Sequence, residues 1–187
     1  MEIKLEPEVT SFEVEIRGVK PMLMHGPAGA AAPKKGRGSQ RSDEEEIELC
    51  LYKNEAGEIV FPGRNIIACI KGAASDFKMG GKGKKTFKGY VESGLEITPE
   101  EPLLIHNGFE KDVRIARVQQ ARIPRVRPIF NEWGLKFTLN VIDPLLIDAN
   151  KTGVILKEML ESAGKHQGLG DYRPLFGRFE VTKFEKI

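Results

Sequence analysis

The residues best suited to chemistry lie between positions 164 and 179, in Gly164-Lys-His-Gln-Gly168-Leu-Gly170-Asp-Tyr-Arg-Pro-Leu-Phe-Gly177-Arg-Phe179. Four glycines in fourteen residues allow left-handed turns and close approach of a ligand to the backbone. Lys165, Arg173 and Arg178 punctuate them, so the expected ligand is an anion. A second basic stretch, Lys78 to Lys88, holds five lysines (Lys78, Lys82, Lys84, Lys85, Lys88), three glycines and no acid. Its glycines give flexibility and its lysines charge, which suits a loop that tracks phosphates; a solubilising surface loop is the alternative. His25, His106 and His166 are scattered without metal-ligand spacing, and Cys50 and Cys69 form no Cys-x-x-Cys pair. No metal site is expected, and the cysteines read as core thiols.

These residues need elements to hold them. Phe12, Val14 and Ile16 alternate with polar neighbours, the mark of a half-buried strand. Residues 28–42 are small, glycine-rich and basic, and are expected to be mobile without a partner. Glu44 to Tyr52 fits either a strand or a helix. Arg64 to Phe77 reads as a helix with Ile66, Ile70, Ala73, Ala74 and Phe77 on one side. Arg64, Lys71 and Lys78 project from the other side, in a stripe with no acid. Leu95 to Gly108 suggests an inserted hairpin. Arg125 and Arg127 share one face of an extended segment, with Val126 on the other. Trp133 to Val141 is the clearest strand. Ile155 to Ala163 is a second amphipathic helix, capped by Asn150 or Thr152 and ended by Gly164. Phe179 and Val181 alternate in a last strand.

The order strand, helix, strand, strand, helix, strand predicts an α+β fold. The expected core is a ferredoxin-like (RRM-like) βαββαβ unit, with both helices on one face of an antiparallel sheet. One domain over 1–187 is expected, with basic insertions at about 26–46 and 78–110. Net charge is only +2, but acids and bases are segregated along the chain. Segregation of this kind gives a basic face of the sort that phosphate backbones bind. The longest apolar run is far short of a membrane span and the start lacks a signal peptide's pattern, so a cytoplasmic protein is expected.

Gly168-Leu-Gly170, six residues, then Gly177-Arg178-Phe179 resembles the C-terminal glycine-rich loop of the repeat-associated mysterious protein (RAMP) superfamily, with Phe179 in place of the last glycine. Those proteins are RNA-binding subunits of CRISPR effector complexes. Val60-Phe-Pro-Gly-Arg-Asn-Ile-Ile-Ala-Cys-Ile-Lys71-Gly72 resembles the family's Pro-Gly-Ser-Ser-hydrophobic-Lys-Gly lead into its first helix. Arg64 and Asn65 replace the serines, and the lysine is displaced by two residues. The resemblance implies that this helix presents residues to RNA, and that copies stack along a strand as a homo-oligomer or filament, with other effector subunits as further partners. At this length it implies a small, stand-alone or phage-encoded relative.

The leading expectation is therefore a non-catalytic, sequence-independent binder of single-stranded nucleic acid, RNA favoured over DNA. Its contacts would be Arg64, Lys71, Lys78, Lys82, Lys84, Lys85, Lys88, Arg125, Arg127, Gly168, Gly170, Arg173, Gly177 and Arg178, with outward-facing amides in the glycine-rich loop and Leu169 anchoring it. Two rivals stay open. One is a metal-independent RNA endonuclease with His25 as general base, as the resemblance allows; the resemblance also offers Asp43, after the first strand, as a target-cutting aspartate. The other is an assembly module that has lost its ligand. No Walker loop, dinucleotide fingerprint or Ser-His-Asp pattern is present, so no cofactor is expected.

Overall fold

The computed structural model describes residues 9–26, 41–118, 121–148 and 151–187. Most of the basic segment 28–42 lies outside them. In chain order the elements are β1 (Thr10–Gly18), β2 (Met22–Leu23), α1 (Asp43–Cys50), α2 (Gly63–Ala73), α3 (Lys88–Gly94), β3 (Leu95–Thr98), β4 (Leu104–His106), β5 (Glu110–Val118), β6 (Ala121–Phe130), β7 (Trp133–Val141), α4 (Val154–His166) and β8 (Phe179–Lys186). The fold is α+β with antiparallel sheets.

The larger sheet has the order β3-β7-β1-β8, with β4 also on β7. Strand β1 pairs with β7 from Thr10↔Val141 to Arg17↔Gly134. That register puts Phe12, Val14 and Ile16 on the same face as Trp133, Leu135, Phe137, Leu139 and Val141, and all are buried. Onto this face α2 brings Ile66, Cys69, Ile70 and Ala73, and α4 brings Leu156, Met159, Leu160 and Ala163. Each large apolar side chain so buried stabilises by roughly 1.5–3 kcal/mol before entropy is counted. The opposite face carries Glu13, Glu15, Lys136 and Lys183, joined in ion pairs.

Several local readings differ from expectation. Glu44 to Tyr52 resolves into a helix because Ser42 and Glu45 form a reciprocal capping box at its start. Leu95 to Gly108 is not a hairpin: β3 and β4 do not pair with each other, and both lie against β7. The long hairpin is β5–β6, which with β2 forms a three-stranded sheet. Thr152 does not cap α4, and Asn150 lies outside the described residues. The N-cap is Gly153 at φ 71°, where a Cβ would stand 2.5 Å from the Phe12 ring. The Asp148 carboxylate accepts hydrogen bonds from the Thr152 and Gly153 amides. Helix α4 also runs through Gly164 to His166, because Gly164 is where the helix touches β8 (a Cβ there would lie 2.3 Å from the Phe179 carbonyl).

Candidate functional site

The glycine-rich loop closes on its own chain. After α4, the Gly168 amide donates to Ala163 O at 2.9 Å and the Leu169 amide to Gly177 O at 2.8 Å. The Asp171 amide reaches Leu23 O and the Gly177 amide reaches Pro21 O, each at 2.8 Å. Gly168, Gly170 and Gly177 all have φ between 72° and 80°. A Cβ on Gly177 would sit 1.7 Å from Leu169 O, and one on Gly170 would sit 2.4 Å from Leu23 O. Leu169 is buried in the core as expected. The expected outward-facing amides are not found at positions 168, 169, 171 and 177, because backbone carbonyls take them. These glycines serve the approach of chain to chain, and the loop is a rigid mount for Asp171, Tyr172 and Arg173.

That mount meets the smaller sheet. Arg127, on β6, donates through Nε to His25 Nδ1 at 3.3 Å and is ion-paired with Asp171 Oδ2 at 2.9 Å. Its guanidinium lies 4.9 Å from the Tyr172 ring centre, and its Nη1 is buried without a hydrogen-bond partner. On β5, Arg114 pairs with Asp112 at 2.7 Å and stacks over Phe176 at 4.5 Å. Burial, aided by Arg127, holds the His25 imidazole below its ordinary pKa, so it is neutral at pH 7. Cys50 Sγ lies 3.6 Å from His25 Nδ1, but burial pushes its thiol up to about 11, which leaves it a thiol rather than a nucleophilic thiolate. Cys69, pushed up to about 12 by burial, donates to Gly168 O at 3.2 Å and ties α2 to the loop.

The remaining predicted residues separate into paired and unpaired groups. Arg125 is held by Glu46 at 3.3 Å and Arg178 by the Pro174 carbonyl at 2.8 Å. Lys71 is ion-paired with Glu92 of α3, so the α2 stripe is not wholly positive. Asp43 binds Lys111 at 2.7 Å. It begins α1 while Cys50 ends it, about 10 Å of helix rise away, so Asp43 and His25 are not brought together. Arg64, Lys78, Lys82, Lys84, Lys88 and Arg173 are exposed and make no ion pair among the described residues. Lys85 is unpaired too but rests over the Tyr90 ring at 4.9 Å. The lysine segment is ordered by the Lys78↔Thr86 bridge and by buried Met79.

Sequence reasoning passed over Arg114, Tyr52 and Tyr172. Tyr172 had one usable signal, an aromatic residue between an acid and an arginine in a glycine-rich turn. Of its partners across the fold, Arg114 left none, and Arg127 was expected as a contact from its strand face but not as a neighbour of Tyr172. Two hollows adjoin the mount and share Gly170 and Asp171. One, of about 470 Å³, lies along His166, Gln167, Tyr172 and Arg173; the other, more enclosed and about 120 Å³, is lined by Met24, His25, Tyr52, Phe61 and Asn65.

No protein-family model matches the chain, and no curated protein matches it. Solved structures do. A chain in the cryo-EM structure of the type III-B Cmr-beta bound to cognate target RNA aligns with 96% of this chain at a TM-score of 0.60 and 15% identity. This chain spans 61% of that one's length. Cmr6 from Pyrococcus furiosus aligns over 94% of this chain and 98% of its own, at a TM-score of 0.44 and 11% identity. Among the described residues no helix is long and apolar enough to cross a membrane. The likeness is one of fold: over nearly its whole length this chain has the architecture of a chain of the type III-B Cmr-beta structure, as the RAMP resemblance in its sequence implies.

Proposed function

We propose that this protein binds single-stranded nucleic acid, RNA in preference to DNA, chiefly through the phosphate backbone and without catalysis. The observation that carries this reading is the uneven pairing of its cations. On the outer sheet face Lys136 and Lys183 are each bound to carboxylates. On α2, on the lysine segment after it and on the glycine-rich loop packed beside it, Arg64, Lys78, Lys82, Lys84, Lys88 and Arg173 are exposed without an acid. Unpaired, solvated cations release counterions when they meet phosphates, a driving force that carries no sequence information. The scaffold is read as a ferredoxin-like βαββαβ core made of β1, α2, β3, β7, α4 and β8, in keeping with the sheet order β3-β7-β1-β8. Fold likeness to a chain from an RNA-bound structure supports the choice of RNA. Copies arranged along one strand, and partner subunits beside them, belong to the same reading.

A second reading, cleavage with His25 as general base, is favoured by one observation: His25 is held neutral at the edge of a hollow. Incubation with end-labelled RNA, single-stranded DNA and duplex separates the readings. Retention of single strands without shortening is expected. Shortened RNA that disappears in a His25→Ala variant would establish the endonuclease, and failure to retain any strand would leave an assembly module.

A further inference from the structure

We propose that the enclosed hollow beside the glycine-rich loop receives one flipped-out nucleobase bearing an exocyclic amino group, which adds a base preference to binding otherwise directed at phosphates. This rests on the reading that the chain binds single-stranded nucleic acid. At about 120 Å³ the hollow is far below the roughly 300–1,000 Å³ of a drug-sized site. Its walls are Met24, Tyr52 and Phe61, and its polar groups are His25, Asn65 and Asp171. The Asn65 side-chain amide is half-buried and has no hydrogen-bond partner among the described residues. In Asp171, Oδ2 is bound by Arg127 and Oδ1 by the Tyr172 amide. A carboxylate has about four acceptor sites, so lone pairs remain on both oxygens. No His, Cys, Asp and Glu group among the described residues could hold a metal ion.

These groups specify the occupant. The Asp171 carboxylate repels a phosphate, and the Arg127 guanidinium already neutralises it, so it does not call for a cation either. A planar, uncharged group that donates to Asp171 and exchanges hydrogen bonds with Asn65 meets both requirements. The amino-bearing edges of adenine, cytosine and guanine do this; uracil has no amino group, and its single edge donor, N3–H, is flanked by two carbonyl oxygens that the carboxylate repels. Tyr52 supplies an aromatic wall, and stacking on such walls tolerates any base, so the discrimination falls to the polar edge. The larger hollow shares Gly170 and Asp171 with this one and carries Arg173 on its rim. A strand held by its phosphate at Arg173 therefore passes the mouth of the enclosed hollow.

The test is fluorescence anisotropy with oligo(rA), oligo(rC) and oligo(rU) of one length, at one salt concentration. Oligo(rA) and oligo(rC) are expected to bind about tenfold tighter than oligo(rU), as one paired base contact discriminates. Asn65→Leu, which breaks no hydrogen bond within the fold, should bring that ratio close to one. Replacing adenosine by purine riboside removes only the amino group and should cost the same factor without altering the protein. Equal affinity of the parent for all three strands overturns the base site while leaving phosphate binding intact. So does a preference that survives both changes. A parent that binds none of the strands overturns the nucleic-acid reading itself.

Discussion

Gly170 shows how one residue changes meaning between sequence and structure. In sequence its partner is a ligand; in the fold its partner is Leu23 O, 2.4 Å from where a Cβ would stand, at φ 80°. Gly170→Val must therefore break the latch between the loop and β2 before any ligand arrives. Overpacking and a forbidden backbone together should cost about 3 kcal/mol or more, read as a lower melting midpoint of the free protein. A variant that melts with the parent would show that the loop is free to yield. Lys71 is the converse case, a predicted contact engaged by Glu92. Both side chains are partly exposed, so Glu92→Gln should change stability by less than about 1 kcal/mol. It frees one cation for one phosphate, and the log-log salt slope on a single strand should steepen by about 0.7. An unchanged slope would remove Lys71 from the interface.

Among the elements, β1, β7, α2 and α4 were legible because each buries one side, and burial writes a period into the sequence. Phe12-Val14-Ile16 and Trp133 to Val141 alternate, while Ile66-Ile70-Ala73 repeats at helical spacing. Strands β3 and β4 were misread as a hairpin because each is a few residues long and their partner, β7, is far along the chain. The candidate site was less legible for a similar reason. The Arg127–Asp171–His25 cluster joins three elements, and no local pattern records which distant acid will neutralise a given arginine. Pairing across the sheet is testable through Glu13, whose carboxyl Lys136 and Lys183 hold down at about 2, against an ordinary 4.5. A folded pKa below the unfolded one gives stability that is complete above about 4.5 and is lost as pH falls through about 2. Acid denaturation should therefore steepen across that window. Glu13→Gln should flatten it there and leave the neutral range largely unaltered, and an identical acid limb in the variant would show that the pairing contributes nothing.

For the whole molecule, a net charge of +2 says little, and its distribution decides the behaviour. The sheet's outer face binds its charges internally, while the helix and loop side leaves cations to solvent. If about five phosphates are neutralised, the logarithm of affinity should fall with the logarithm of salt at a slope near −3.5. Binding that hardly responds to salt would disprove a phosphate-led interface. Backbone contacts make every stretch of a long strand nearly equivalent, so one bound copy does not exhaust the ligand. A base preference at one position per copy would modulate affinity without changing that conclusion. Copies should therefore accumulate in proportion to strand length. If neighbouring copies also touch, as the filament reading holds, the second should bind more tightly than the first. Light scattering on strands of increasing length measures the number bound, and titration at fixed length measures the cooperativity. A count that rises with length but without cooperativity would leave independent binders on a common strand. One protein per strand at every length would end the filament reading and leave a module that recognises a single site.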